Sequence, residues 1–376
     1  MKKILTSTAL VGSLVLLSAG ISNAQTTVTG NLAMSYKATS TDQSTAAAKT
    51  GNGRTFGKES QINLTHTNKL SNGMGLVAGF SLEFDGSDAA PANISSSTNA
   101  GNSLRGVTNE NTYIDIIAGN TTITFGADHM QNPDNTVTNL VGVADPDDII
   151  SGIGGYTTTL YSAGKNSAYQ AYQFGITQTT PVGKFSFAYA PDATTGQANS
   201  DTQGYGSTNA VTNYDVDESR YEIGFVGNLG IKDLTVQAFY NKEDNAGRKT
   251  LTSTGVDQTG KMLAARYNMG TVALAYERAE TKSLFAVENK SNSFGVSFAA
   301  NKDITLGANY TKTDTNRTAA NSTDGAATAD EKIKSVSVGY NLGPIVVGLS
   351  YGEVDGYNGK SGQDGKAVRL DTNVRF

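Results

Sequence analysis

The sequence predicts an all-β chain, a transmembrane antiparallel up-and-down β-barrel of sixteen strands. Three observations predict it: apolar and polar residues alternate in segment after segment, tight turns alternate with long polar connections, and aromatics gather near segment ends. The last stretch shows the alternation plainly. One parity reads Val368, Leu370, Thr372, Val374, Phe376, and the other Arg369, Asp371, Asn373, Arg375. Successive side chains of a strand point to opposite faces, so one face is greasy and the other charged. A soluble sandwich can contain such a strand. A lipid-facing barrel strand requires one, with apolar side chains outward and polar ones toward a wet lumen.

The N-terminus has the form of an export signal. Lys2 and Lys3 precede an apolar run from Ile4 to Leu17, and Ser22-Asn23-Ala24 is a small-x-small cleavage site, so the mature chain is expected to begin at Gln25. This divides the chain into a signal peptide, 1–24, and a barrel, 25–376. No later stretch approaches the ~20 apolar residues of a transmembrane helix, a test to which barrel strands are invisible. There is no cysteine, which removes thiol chemistry and thiolate metal sites. The net charge is −5 with no basic cluster, so nucleic acid is not an expected partner. Forty-two glycines, abundant Thr, Asn, Ser and Tyr, and few helix formers suit a turn-rich β-protein.

The strands follow in order. Thr27–Ala38 places Val28, Leu32, Met34 and Tyr36 on one face, and Lys58–Leu70 places Ile62 and Leu64 there. Ser71-Asn72-Gly73 is a tight turn. Met74–Asp85 carries Met74, Leu76, Ala78, Phe80, Leu82 and Phe84 on a single parity. Asn111–Ala118 and Thr121–Asp128 join at Gly119-Asn120, and a long gap follows, from His129 to Asn166. Ser167–Gln178 and Lys184–Ala190 join around Pro181-Val182-Gly183, Glu218–Asn228 and Asp233–Lys242 around Gly230, and Gly260–Met269 and Thr271–Lys282 around Gly270. Asn289–Ala299 and Asp303–Thr313 join at Asn301-Lys302, Lys332–Leu342 and Ile345–Glu353 at Gly343-Pro344, and the final strand closes the set.

Seven connections are tight and eight are longer and polar, among them Thr39–Gly57, Gly86–Glu110, Asp192–Asp217 and Asn316–Asp330. Short turns on one side and long loops on the other make an outer-membrane meander, and an even strand count puts both termini on the short-turn side. Strands running toward the long loops finish on an outward aromatic: Tyr36, Phe84, Phe125, Tyr189, Tyr240, Tyr276, Tyr310 and Tyr351. Returning strands place Phe298, Tyr340 and Phe376 near the other rim, with Tyr267 close by. Two such girdles are what the two interfaces of a bilayer favour. In lipid the sheet must close, because unpaired backbone groups cost several kcal/mol each. A closed sheet of this size leaves an aqueous channel.

On Thr27-Val-Thr-Gly-Asn-Leu32, the loop alternation and the terminal Val374-Arg-Phe376, the whole chain resembles the general diffusion porins of Gram-negative outer membranes, in particular the β-proteobacterial branch. The resemblance implies a homotrimer in the outer membrane, beside lipid and lipopolysaccharide, that passes ions and small hydrophilic solutes passively. It implies that Phe376 is the signal read by the barrel assembly machinery, and that the third long loop folds into the lumen and narrows it. That loop is His129–Asn166, and it carries Val137, Leu140, Val141, Val143, Ile149, Ile150 and Ile153, an apolar set suited to packing on an inner wall. It departs from the family's Pro-Glu-Phe-Gly-Gly-like stretch, matching only in part at Gly154-Gly155-Tyr156.

Selectivity in a diffusion channel rests on rows of charge at close quarters. By parity Lys37, Arg220, Arg266, Arg369 and Arg375 face the lumen, as do Glu83, Asp115, Glu222, Glu277 and Asp371. The third loop adds the constriction acids Asp134, Asp145, Asp147 and Asp148. The plainer expectation is that wall charges satisfy one another, Arg220 with Glu222 and Arg369 with Asp371. Arg278, Lys312 and Lys334 fall on the lipid parity near strand ends, where they can snorkel or meet lipopolysaccharide. His66 and His129 belong to no metal motif, Asp145-Pro-Asp-Asp148 lacks the spacing of a dedicated cation loop, and no spacing nominates a Ser-His-acid set. Neither enzyme activity, cofactor nor metal is expected. The alternatives are a channel specific for a sugar or dicarboxylate, which would want an inward aromatic track from Tyr113, Tyr169 and Phe239, and a non-conducting surface or adhesive barrel.

Overall fold

A computed structural model describes residues 24–43, 53–83, 86–87, 108–127, 172–190, 219–246, 256–282, 287–318 and 325–376. Its strands are β1 (Gln25–Gln43), β2 (Gly53–Lys69), β3 (Gly75–Glu83), β4 (Thr108–Ala118), β5 (Thr121–Ala127), β6 (Tyr172–Thr180), β7 (Gly183–Ala190) and β8 (Arg220–Gly227). The second half comprises β9 (Leu234–Ala246), β10 (Val256–Met269), β11 (Val272–Lys282), β12 (Glu288–Ala299), β13 (Ile304–Thr315), β14 (Glu331–Asn341), β15 (Ile345–Asp355) and β16 (Gln363–Arg375). A two-residue piece, Gly86–Ser87, continues the line of β3 beside β2.

Every strand pairs antiparallel with its chain neighbours, and β1 pairs with both β2 and β16, so the sheet closes into a sixteen-strand barrel. The closing seam is long, running from Asn31↔Arg375 to Gln43↔Gln363. Two expected boundaries move as a result. β1 extends through Thr39–Gln43, which read as loop in the sequence, and β16 begins at Gln363 rather than Val368. Polar residues such as Thr39, Ser40 and Thr41 carry no alternation signal, so only their partner strand reveals them as β. The sixth strand is described from Tyr172, so its expected start at Ser167 lies outside the described residues.

The two faces sort as a barrel in lipid demands. Along β11, Leu274 and Tyr276 are exposed while Ala273, Ala275, Glu277, Ala279 and Thr281 are buried. The apolar parity is exposed on strand after strand, for instance Val28, Met34, Phe80, Ile114, Phe125, Ile176, Leu306 and Leu349. Such a surface would aggregate in water and is what hydrocarbon requires. No helix among the described residues is long and apolar enough to cross a membrane.

Tight turns hold one rim. In the β2–β3 turn, Gly73 sits at φ 85°, a left-handed position that suits glycine, and the Asn72 side chain accepts the Met74 N–H at 3.2 Å. At the opposite rim two long connections lock together. Thr328 N–H donates to Gly359 O at 2.8 Å, Ser361 N–H to Thr328 Oγ1 at 2.9 Å, and the Arg317 guanidinium binds both the side chain and the carbonyl of Asn358. Nearby, the Lys312 ammonium hydrogen-bonded to Asp330 holds that carboxyl below the usual carboxylate range.

Candidate channel lumen

Cross-strand register decides which inward side chains meet. At the seam Lys37 lies opposite Arg369 and Ser35 opposite Asp371, while Arg375 lies opposite Asn31. Arg369 Nε donates to Asp371 Oδ1 at 2.8 Å, the wall pair anticipated from sequence. Three of the five expected lumen bases therefore sit on β1 and β16, with one acid among them.

A second group sits on β8, β9 and β11, half the circumference away. Here the ion pair of Arg220 is with Glu243 of β9, across the ladder, both side chains being 6% exposed. The sequence expectation paired Arg220 with Glu222 and missed Glu243. Glu243 carries the inward parity of β9, but only the β8–β9 register sets it opposite Arg220. Glu222 lies opposite Asn241, which leans over Gly260, where a β-carbon would meet Asn241 Oδ1 at 2.7 Å. Glu277 lies opposite Ala264 and Ser293. Glu222 and Glu277 are each 1% exposed. Removing the guanidinium while keeping the bulk, by Arg220→Met, is expected to leave Glu243 buried and uncompensated and to cost about 3 kcal/mol. The check is a lowered midpoint of urea unfolding in lipid vesicles.

The remaining expected residues are more dispersed. Arg266 donates to Asn268 Oδ1 at 3.1 Å near the short-turn rim. Glu83 is buried opposite Gln61, and Asp115 accepts the Thr124 hydroxyl at 2.6 Å. Elsewhere the wall is a ladder of satisfied hydroxyls: Thr311 to Ser293 at 2.9 Å, Ser291 with Thr313 at 2.8 Å, and Ser337 to Ser350 at 2.8 Å. Each pair joins adjacent strands, so the polar lining also braces the sheet.

Asp134, Asp145, Asp147 and Asp148 of the third loop, and Phe84, lie outside the described residues. The other rim aromatics occupy the outward parity: Tyr36, Phe125, Tyr189, Tyr240, Tyr276, Tyr310 and Tyr351 toward the long loops, Phe298, Tyr340 and Phe376 toward the turns. The long-loop row also contains Phe56, Phe174, Tyr221 and Phe294, which the sequence expectation left out. They stack against Tyr36, Tyr189, Tyr240 and Tyr276 with ring centroids 4.9, 5.4, 6.0 and 4.9 Å apart. Their signal was an aromatic at the start of a returning strand.

Among the described residues, no group of three or more His, Asp or Glu side chains is arranged to hold a metal ion. The wall thus carries three bases and one acid at the seam, and on the far side the buried Glu222 and Glu277 with the Arg220–Glu243 ion pair.

The family model described as Gram-negative porin matches residues 6–262 and 178–372. The chain belongs to the Gram-negative porin family. Curated proteins offer no match. Solved structures share the fold at low identity. An anion-selective porin from Comamonas acidovorans superposes with a TM-score of 0.59 at 14% identity, covering 94% of this chain and 100% of that one. A triple mutant of the Rhodopseudomonas blastica porin gives 0.55 at 11%, covering 94% and 100%. OmpT with its loop L8 deleted, an outer membrane protein of Vibrio cholerae, gives 0.56 at 14%, covering 94% and 99%. This porin is therefore an outer membrane protein, and its family and fold make it a channel rather than an enzyme.

Proposed function

We propose that this porin is a general diffusion channel, passing ions and small hydrophilic solutes passively down their gradients. What supports the proposal is the placement of wall charge: Lys37, Arg369 and Arg375 stand at the seam with one acid, Asp371, while half the circumference away Glu222 and Glu277 stand beside the Arg220–Glu243 ion pair. A transverse field of this kind orders water and sorts ions by sign without recognising one solute.

The third loop, with Asp134, Asp145, Asp147 and Asp148, narrows the bore. The apolar character of Val137, Leu140, Ile149 and Ile150 suits an inner wall on which Phe239, Met262, Ala264, Ala273, Ala275 and Ala279 form an apolar patch on β9–β11. A specific sugar channel is disfavoured by the aromatics. Tyr113 and Phe239 stand on β4 and β9, and the Tyr113 ring lies over Gly79, where a β-carbon would meet its hydroxyl at 2.9 Å. Tyr169 lies outside the described residues.

Cleavage after Ala24 fits a barrel whose first strand begins at Gln25, already in register with Thr67. The long loops face the cell surface, and Phe376 serves as the assembly signal. The protein works as a homotrimer, as a neighbour recorded in trimer form does. The test is planar-bilayer recording with purified protein. Conductance steps should rise in proportion to salt, and deletion of 137–153 should enlarge them. Absence of steps would favour a non-conducting barrel, and saturable block by one solute a specific channel.

A further inference from the structure

The two connections that lock together at the long-loop rim close inward. Glu331 and Ile333 lie on the inward parity of β14, alternating with the outward Lys332 and Lys334, and Val354 of β15 and Ala367 of β16 share that face. Ile333 stands opposite Val354, and Val354 opposite Gly365. A water-filled bore would wet these positions, yet Ile333, Val354 and Ala367 are 1, 1 and 2% exposed and Glu331 is wholly buried. Part of their cover is the turn Tyr357–Gly359, which lies against β14 and β16 with the Tyr357 side chain buried. The Asn358 N–H donates to the Glu331 carboxylate at 2.8 Å. An inward carboxylate meets that N–H only if the turn folds over the inner wall rather than away from it.

Three pieces hold the turn there. Arg317 continues the inward parity of Thr311 and Thr313 beyond β13, and reaches past β14 to grip Asn358 by its side chain and its carbonyl. The stretch 326–329 returns alongside. Thr328 and Ala329 N–H both donate to Gly359 O, at 2.8 and 3.2 Å, and Lys360 Nζ donates to Ala326 O at 2.6 Å. Gly356 turns the chain at φ 67°, packed so closely that a β-carbon would run into the Asp330 carbonyl. Asn358 itself sits at φ 52°, a left-handed position that Asn tolerates better than most residues. A turn bound on both sides and set by these positions keeps one shape.

On β16 the next inward residue after Ala367 is Arg369, roughly 7 Å further along the strand, with Lys37 opposite it. The clasp therefore stands over the basic strip of the seam, Lys37, Arg369 and Arg375, on its long-loop side. We propose that this clasp is an outer constriction, in series with the third loop, that makes the channel admit smaller solutes from the long-loop side than from the turn side. Arg317 is the residue that positions it. The turn rim shows no counterpart among the described residues: its connections are tight hairpins such as Ser71-Asn72-Gly73, which stop at the strand ends. Narrowings in series exclude by size one after the other, so a polymer entering from the unclasped side penetrates further than one entering from the clasped side. The inference rests on the reading of the bore as a diffusion channel.

The experiment is polymer exclusion on single channels of the full-length porin in planar bilayers. Polyethylene glycols of graded size are added to one side at a time. The size at which conductance is no longer lowered marks the entrance cut-off on that side. In the wild type the two cut-offs should differ. Arg317→Ser should shift the smaller one up toward the other and leave the larger unchanged, whereas a merely structural role would move both or neither. Gly356→Val, which pushes the turn off Asp330 by a different route, should do the same. The chain has no cysteine, and the Ser361 N–H meets Thr328 Oγ1 at 2.9 Å. Thr328→Cys with Ser361→Cys should therefore form a bridge that restores the wild-type difference to Arg317→Ser when oxidised and loses it when reduced. Equal cut-offs in the wild type, a difference that survives Arg317→Ser, or a bridge that does not form would overturn the assignment. Absence of conductance in the wild type would overturn the diffusion-channel reading itself, so the two failures are told apart.

Discussion

Replacing Gly30 with valine should nearly abolish recovery of the folded barrel. Gly30 and Phe376 exchange both backbone hydrogen bonds, at 2.8 and 3.0 Å, one pair beyond the point where the β1–β16 seam begins. The Phe376 ring lies over Gly30, so a β-carbon there would meet the ring at 2.6 and 2.8 Å and Gln61 O at 2.6 Å. A rotating ring could move aside, but the carbonyl belongs to β2 and cannot. Substitution therefore pushes β1 off both of its partners at once. In lipid each backbone group left unpaired costs several kcal/mol, so a few opened pairs outweigh the ~5–15 kcal/mol stability of a typical domain. Phe376→Ala keeps the space and loses the ring, and should give a folded but slower-assembling barrel. Heat-modified mobility on gels and the rate of folding into vesicles distinguish the two. Normal folding of Gly30→Val would show that the seam is not needed for closure.

The second large effect is on selectivity. Lys37→Glu with Arg375→Glu reverses two charges of the basic strip and leaves the Arg369–Asp371 pair in place. A unit charge at ~10 Å in water is worth about 0.4 kcal/mol. Salt at 0.1 M screens roughly two thirds of it at that distance. Four units of changed charge then amount to about 0.6 kcal/mol, or about a threefold swing in permeability toward cations. The measurement is the reversal potential in a salt gradient, and the swing should shrink as salt rises. A shift that is insensitive to salt, or none, would mean the strip does not border the ion path.

Much of the candidate site was legible in the sequence because parity is a local property. Arg369 and Asp371 share a face whatever their neighbours are, and so do Glu277 and the alanines flanking it in β11. What parity cannot supply is the partner. Arg220 finds Glu243 because β8 and β9 are in one particular register, and a shift by one pair would have set it beside another residue.

The division has one physical cause. A strand's two faces repeat every second residue, so alternation along the chain settled by itself the sixteen strands, the oily side and the wet side. Ladder pairing joins residues tens to hundreds of positions apart, as Asn31 is joined to Arg375. Closure, the Arg220–Glu243 pair across the ladder and the paired rim aromatics all depend on that pairing, and only the tertiary structure decided them.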